Sequence, residues 1–288
     1  MARAAAKTVE PTPKKGANAL IPWDEQMARD AETAAAMEAN TGGGNFFSFK
    51  GGILSFNGAA LPNNQMGVVV LDHIFENVFY EGEYDPTQVS PPTCFALGRD
   101  ELTLAPHEVV VAHGSDQHGN CQGCPMNAWG TADKGRGKAC RNTRRLAVIP
   151  AGELDEAGRF KPYTEEEHFE KAPIGYMKLP VTSVKGWATI VKQVAGALKR
   201  PPHGIFMKVR VVPDAQTQFK VNFEPISKAP DSIMPAIMAR REEVMATIAF
   251  PYSMDRDETP APAKGAAKGK APAKNVRPEV KKAGAKRY

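Results

Sequence analysis

Cysteine is scarce in this chain, with four residues in 288. That count excludes a small disulfide-stapled scaffold, which needs a much higher cysteine density. Long apolar runs are also missing: none approaches the roughly 18 residues that cross a bilayer. The basic start MARAAAKTVEPTPKKG lacks the apolar stretch of a secretory signal. Familiar catalytic spacings are absent as well. There is no Gly-Lys-Ser/Thr phosphate loop, no Gly-x-Ser-x-Gly and no pair of histidines one helical turn apart. Asp72, His73, Glu76 and Asp85 resemble a hydrolytic metal set, but a strand with flanking surface acids accounts for them. The expectation is a non-enzymatic protein in a reducing compartment, with no membrane partner, where cysteines serve a metal before a disulfide.

Positive charge is scarce in the middle of the chain. Residues 1–20 carry +3 and residues 260–288 carry +8; subtracting both from the formal +5 leaves −6 for residues 21–259. Net charge therefore says little about the globular part, and any electrostatic argument rests on local patches.

Glycine and proline are plentiful, at 25 and 24 residues, which favours turns and short strands. Residues 1–22 read as a disordered basic N-terminus and residues 251–288 as a disordered basic Pro/Ala/Lys tail. Between them, residues 23–250 carry the hydrophobic pattern. The stretch 24–40 is Ala- and Glu-rich and predicts a lightly packed helix. Strands are expected around Phe46–Phe56 with an Asn57-Gly58 turn, over Met66–Tyr80, Arg144–Pro150 and Tyr176–Val181, and over the pair His203–Val212 and Gln218–Pro225. Residues 151–172 read as a polar surface excursion. Helices are expected to Leu198, with Ser183 as the cap, and from Ser232 to Ala249. Some six strands without regular intervening helices indicate a β-rich α+β fold or antiparallel barrel rather than a doubly wound α/β fold.

All four cysteines fall between the second and third of these strands. Cys121-Gln122-Gly123-Cys124-Pro125 is a zinc-knuckle sequence, in which a tight turn aims two thiolates at one ion, and Cys140 follows. Tetrahedral zinc needs a fourth ligand. Cys94 is favoured, with His118, His113 and His107 as rivals. A redox Cys-x2-Cys would open a helix, and Pro125, Asn127, Gly130 and Gly135 oppose one here. Four protein ligands leave no open position for catalytic water, so the zinc would be structural.

The same segment holds the densest cationic run outside the tails: Lys134, Arg136, Lys138, Arg141, Arg144 and Arg145, opposed by Asp133 alone, just after Trp129. Cations for phosphates and a flat ring for bases are what a single-stranded nucleic acid requires. Against this, Trp129 could belong to the core and the charges to a solvated loop. Lys208 and Arg210 are further phosphate candidates, and Phe219 and Phe223 further stacking candidates.

The segments VVLDHIFENVFYEGEYDP, PPTCFA, CQGCPMNAWGTADKGRGKACRNTRRLAVIP and LPVTSVKGWATIV resemble proteins of tailed bacteriophages, some of them single-stranded DNA-binding proteins. The resemblance runs from about Phe46 to Phe223. It implies an OB-like antiparallel barrel with a zinc loop inserted at about 94–140 and a few flanking helices. It also implies zinc on Cys94, Cys121, Cys124 and Cys140, and single-stranded DNA as partner. The role implied is phage DNA replication or recombination, alongside phage replication proteins, in the cytoplasm of the infected host cell. A zinc-stabilised virion or transcription-accessory protein is the alternative. The basic tail departs from the acidic tail with which many replication single-strand binders recruit partners.

Overall fold

The computed structural model describes residues 45–82, 90–133 and 135–254, together with Trp23, Gln26 and Met27. Residues 1–22, residues 255–288 of the basic tail, most of the 24–40 helix and Lys134 lie outside the described residues, whereas Tyr252 of the tail's first residues is bonded to Lys178. What is described is a mixed α+β unit built on one ten-stranded sheet.

The spine is a pair of long antiparallel strands, β4 (Gln65–Phe79) and β6 (Arg141–Leu154). One edge of β4 takes β9 (Ile205–Asp214) along its first half and β5 (Cys94–Gly98) along its second. Outside β9 lies β10 (Gln218–Lys228). On the other side β6 carries β7 (Phe160–Pro162) and β8 (Gly175–Leu179). Then β1 (Phe46–Ser48) pairs parallel to β8 and continues into β2 (Ser55–Phe56) and β3 (Ala59–Ala60). Asn57 (φ 48°) and Gly58 (φ 82°) form the β2–β3 turn in the left-handed conformation that this dipeptide tolerates.

The run MGVVVL is continuously apolar because β4 is covered on both faces. Val68 and Val70 point to one core, which α3 (Val181–Gln193) covers through Trp187. Val69 and Leu71 point to the other, which α2 (Glu166–Lys171) and α4 (Met234–Thr247) cover. A bulge between Val70 and Asp72 then swaps the faces. Beyond it the even-numbered residues Ile74, Glu76 and Val78 lie on the α4 side, while His73, Phe75 and Asn77 lie on the α3 side. This explains why the alternation along Met66–Tyr80 is imperfect in the sequence.

The sheet is open, where a closed barrel was expected. It curls far enough for Gly52 to lie against Phe219 of β10, but no ladder joins β10 to β2 or β3 among the described residues. On β10, the Val221 amide donates to the buried Ser183 hydroxyl of α3 at 2.9 Å, so a helix side chain occupies a position that a closing strand would take. Ser183 is thus a clamp within α3 rather than its N-cap. The polar excursion 151–172 also proves partly internal, since Phe169 of α2 is fully buried. Four elements escape the sequence pattern: β5, the short α1 (Glu108–His113), and β7 and α2 within the 151–172 excursion.

Candidate nucleic-acid interface and metal centre

The four cysteines converge at the end of the β4–β6 spine. Cys94 opens β5 opposite Phe79, and Cys140 immediately precedes β6. The intervening Cys121–Cys124 turn is anchored by the Cys121 amide, which donates to the Leu104 carbonyl at 2.9 Å. All four thiols, with His118, Asn77 and Asn127, line one cavity of about 20 Å3, room for a single water-sized occupant. None is in a disulfide. Among the described residues no group of three or more His, Cys, Asp or Glu side chains is drawn together as a finished metal cage.

The donor chemistry of the cavity nevertheless suits a soft cation. Burial first, with Cys121, Cys124 and Cys94 acting in the same direction, pushes the Cys140 thiol up to about 12. Burial also raises Cys94, against a hydrogen bond from the Gln117 backbone, and raises Cys121, against one from the Asn77 side chain. Charge on any one thiol disfavours charge on the others, so thiolates here require a cation between them. Asn142 donates to Asn77 Oδ1 at 2.7 Å, which leaves the Asn77 amide group to face Cys121. Asn77, Asn142 and Gln117 are invisible as site residues in the sequence, because the β4 bulge decides which face Asn77 takes. His118 lines the cavity too, with Nδ1 held by the Asn120 backbone at 3.0 Å.

The loop from Ala128 to Ala139 is closed by its own hydrogen bonds. The Gly130 amide donates to Gly137 at 2.9 Å, the Ala139 amide to Thr131 Oγ1 at 3.0 Å and the Cys140 amide to Met126 at 2.8 Å. Gly130 and Gly135 both sit at φ 86°, where a side chain would be strained. Near the base of this loop Trp129 is 79% exposed, which rules out a core role. The Lys138 ammonium lies 5.6 Å from the Trp129 ring and 3.1 Å from Asn127 Oδ1, whose amide donates to the Cys121 carbonyl at 2.7 Å. Arg136 and Arg141 are exposed.

The remaining cations divide. Arg145 is 1% exposed and locked to the fully buried Glu76 at 2.7 Å, so it is corrected from phosphate contact to internal counter-ion. Burial pulls the Glu76 carboxyl up, but Lys178, Arg145 and the Tyr252 hydroxyl outweigh it and hold the group below its ordinary range. The Arg144 guanidinium lies 3.7 Å from the Phe75 ring centroid, and its side chain is 12% exposed. Lys208 and Arg210 both pair with Glu224, at 2.7 and 3.4 Å. Phe223 is core, 4.8 Å from the Trp187 ring, and Phe219 is half-buried against the same core. Among the described residues the Asp72, His73 and Glu76 side chains do not gather: Asp72 pairs with Arg99 at 2.6 Å, His73 meets the Trp187 ring edge-on on the α3 side, and Asp85 lies outside the described residues.

No family model, curated protein or solved structure matches the chain. Among the described residues no helix is long and apolar enough to cross a membrane.

Proposed function

We propose that this chain is a non-enzymatic single-stranded DNA-binding protein of a bacteriophage, acting in DNA replication or recombination in the infected cell. The observation that carries the reading is Trp129, a large exposed ring in the cysteine loop with the Lys138 ammonium beside it. A ring in water offers a stacking face for a base, and the neighbouring cations offer partners for the backbone phosphates. Arg136, Lys138 and Arg141 are the cations best placed for this role; Lys208 and Arg210 contribute less, being already paired.

Zinc belongs to the same proposal. Cys94, Cys121, Cys124 and Cys140 would hold it, and its contribution is a structural cross-link that fixes the loop carrying Trp129. The cavity lining keeps His118 as the rival to Cys94. Purified protein is expected to contain about one zinc per chain, and Cys121→Ser or Cys140→Ser to lose it. Elemental analysis without metal in a folded protein would remove zinc from the scheme.

Function is tested by titrating labelled single- and double-stranded oligonucleotides at two salt concentrations. Binding should favour the single strand. Replacing Arg136 and Arg141 with Ala should lower the slope of log affinity against log salt by roughly 0.7 for each phosphate that is no longer neutralised. Charge variants that bind as tightly as the parent would overturn the loop's role.

A further inference from the structure

The face of the sheet opposite the cysteine cavity carries a second aromatic and basic surface. The chain leaving α4 folds back over β6 there, because the Arg145 guanidinium donates to the carbonyls of Ile248 at 3.1 Å and Phe250 at 2.7 Å. This lays Phe250 beside Tyr176 and Phe46, and Tyr252 beside Phe95. Phe250 lies 5.0 Å from Tyr176 and 5.6 Å from Phe46, and Phe46 and Tyr176 are 5.8 Å apart. Lys178 lies 5.1 Å from the Tyr252 ring and Arg141 lies 5.6 Å from the Tyr80 ring. Phe46 is 38% exposed, Arg141 is exposed, and Tyr80, Tyr176, Lys178, Phe250 and Tyr252 are all partly accessible.

Among the described residues the charges that lie against these rings are Lys178, Arg141 and Glu76, with the exposed Glu81 following Tyr80 in the chain. Glu76, the leading negative charge acting on Lys178, Tyr80 and Tyr252, is fully buried and bonded to Arg145, Lys178 and Tyr252. It is therefore neutralised within by Arg145 and Lys178, and what faces outward is rings with the partly accessible Lys178 and the exposed Arg141 between them. A protein partner would be met by an apolar patch ringed by both signs. Rings alternating with lysine and arginine suit a ligand that repeats a flat base and a phosphate.

We infer that the strip formed by Phe46, Tyr80, Tyr176, Tyr252, Arg141 and Lys178 is a second binding surface for single-stranded DNA. The inference rests on the function proposed above and extends it from one loop to both faces of the sheet. Arg141 directly follows Cys140, so the two surfaces meet in the chain where β6 begins.

The test is ultraviolet cross-linking of the full-length protein to oligothymidylate, with the linked residues mapped by mass spectrometry. It is paired with titrations of strands of about 4 and about 16 nucleotides, the range that one single-strand-binding domain covers. Cross-links are expected at Trp129 and also at Phe46, Tyr80 or Tyr252. Phe46→Ala with Tyr80→Leu should weaken the long strand about tenfold and leave the short strand unchanged if that strand occupies the loop. Cross-links confined to Trp129 would overturn the strip and leave the proposed function standing. Failure of the parent protein to bind either strand would overturn both. If the double variant loses stability, the cross-link map on the parent decides alone.

Discussion

Trp129 and Arg145 stand sixteen positions apart in one basic segment, and the fold gives them opposite fates. Trp129 has nothing to lose from solvent, so Trp129→Ala should leave the melting temperature unchanged while weakening single-strand binding by about 1–3 kcal/mol. A matching loss of stability would show that the ring packs. Arg145 is where sequence reasoning falls short, because a run of cations does not say which of them alternates inward. Pairing of Arg145 with Ile74 in the β4–β6 ladder turns its side chain towards α4, and Glu76 is there to meet it. Glu76→Gln should cost about 3–5 kcal/mol in denaturant unfolding, since it strands a buried guanidinium without its counter-charge. Spacing suggests that Cys121, Cys124 and Cys140 converge, and Cys94 joins them by being the one cysteine left over; all four line one cavity together with the rival His118. Their supporting amides are not legible, because Asn77 and Asn142 come together only through strand pairing.

At the scale of elements, β9 and β10 and the two long helices are readable from alternation and helical spacing, while β4 shows as an apolar, β-branched run and β6 only in its central part. The short pieces, β5 and α1, are not: Cys94–Gly98 is five residues of mixed character, and its strand state comes from pairing with β4. The barrel expectation meets a similar limit. Strand patterns do not reveal whether sheet edges meet, and Ser183 settles the matter at β10 from a distant helix. The paired glycines Gly67 and Gly152 illustrate another long-range demand. Phe160 of β7 lies across both, and a Cβ on Gly152 would collide with the Lys161 carbonyl and fall 2.7 Å from the Phe160 ring. Gly152→Ala should therefore cost about 1–3 kcal/mol by displacing β7, measurable as an earlier thermal transition. Gly58→Ala strains only a local turn and offers a control for backbone conformation, since its Cβ would meet open space.

Across the whole molecule, acid should be more damaging than the mild net charge suggests. Burial holds His73 below its ordinary value of 6.5, and burial together with Arg241 holds His203 below the same value. The unfolded chain then binds protons that the folded chain refuses. Stability is full above pH 6.5 and declines as pH falls below it. The depressed carboxyl of Glu76 adds a second decline below its ordinary value of 4.5. His73→Phe should blunt the first decline and leave the second, as followed by urea unfolding across pH. One further consequence concerns how the chain reaches this state. Val78 pairs with Arg141 and Gly67 with Gly152, so the central ladder cannot form until a connection of roughly sixty residues has closed. All four cysteines lie inside that connection, with Cys94 near its beginning and Cys140 at its end. An ion captured by those thiols would gather the connection before the ladder zips. Refolding should then be faster with zinc than with chelator, and the metal would act as the pace-setter of assembly as well as a brace of the finished molecule.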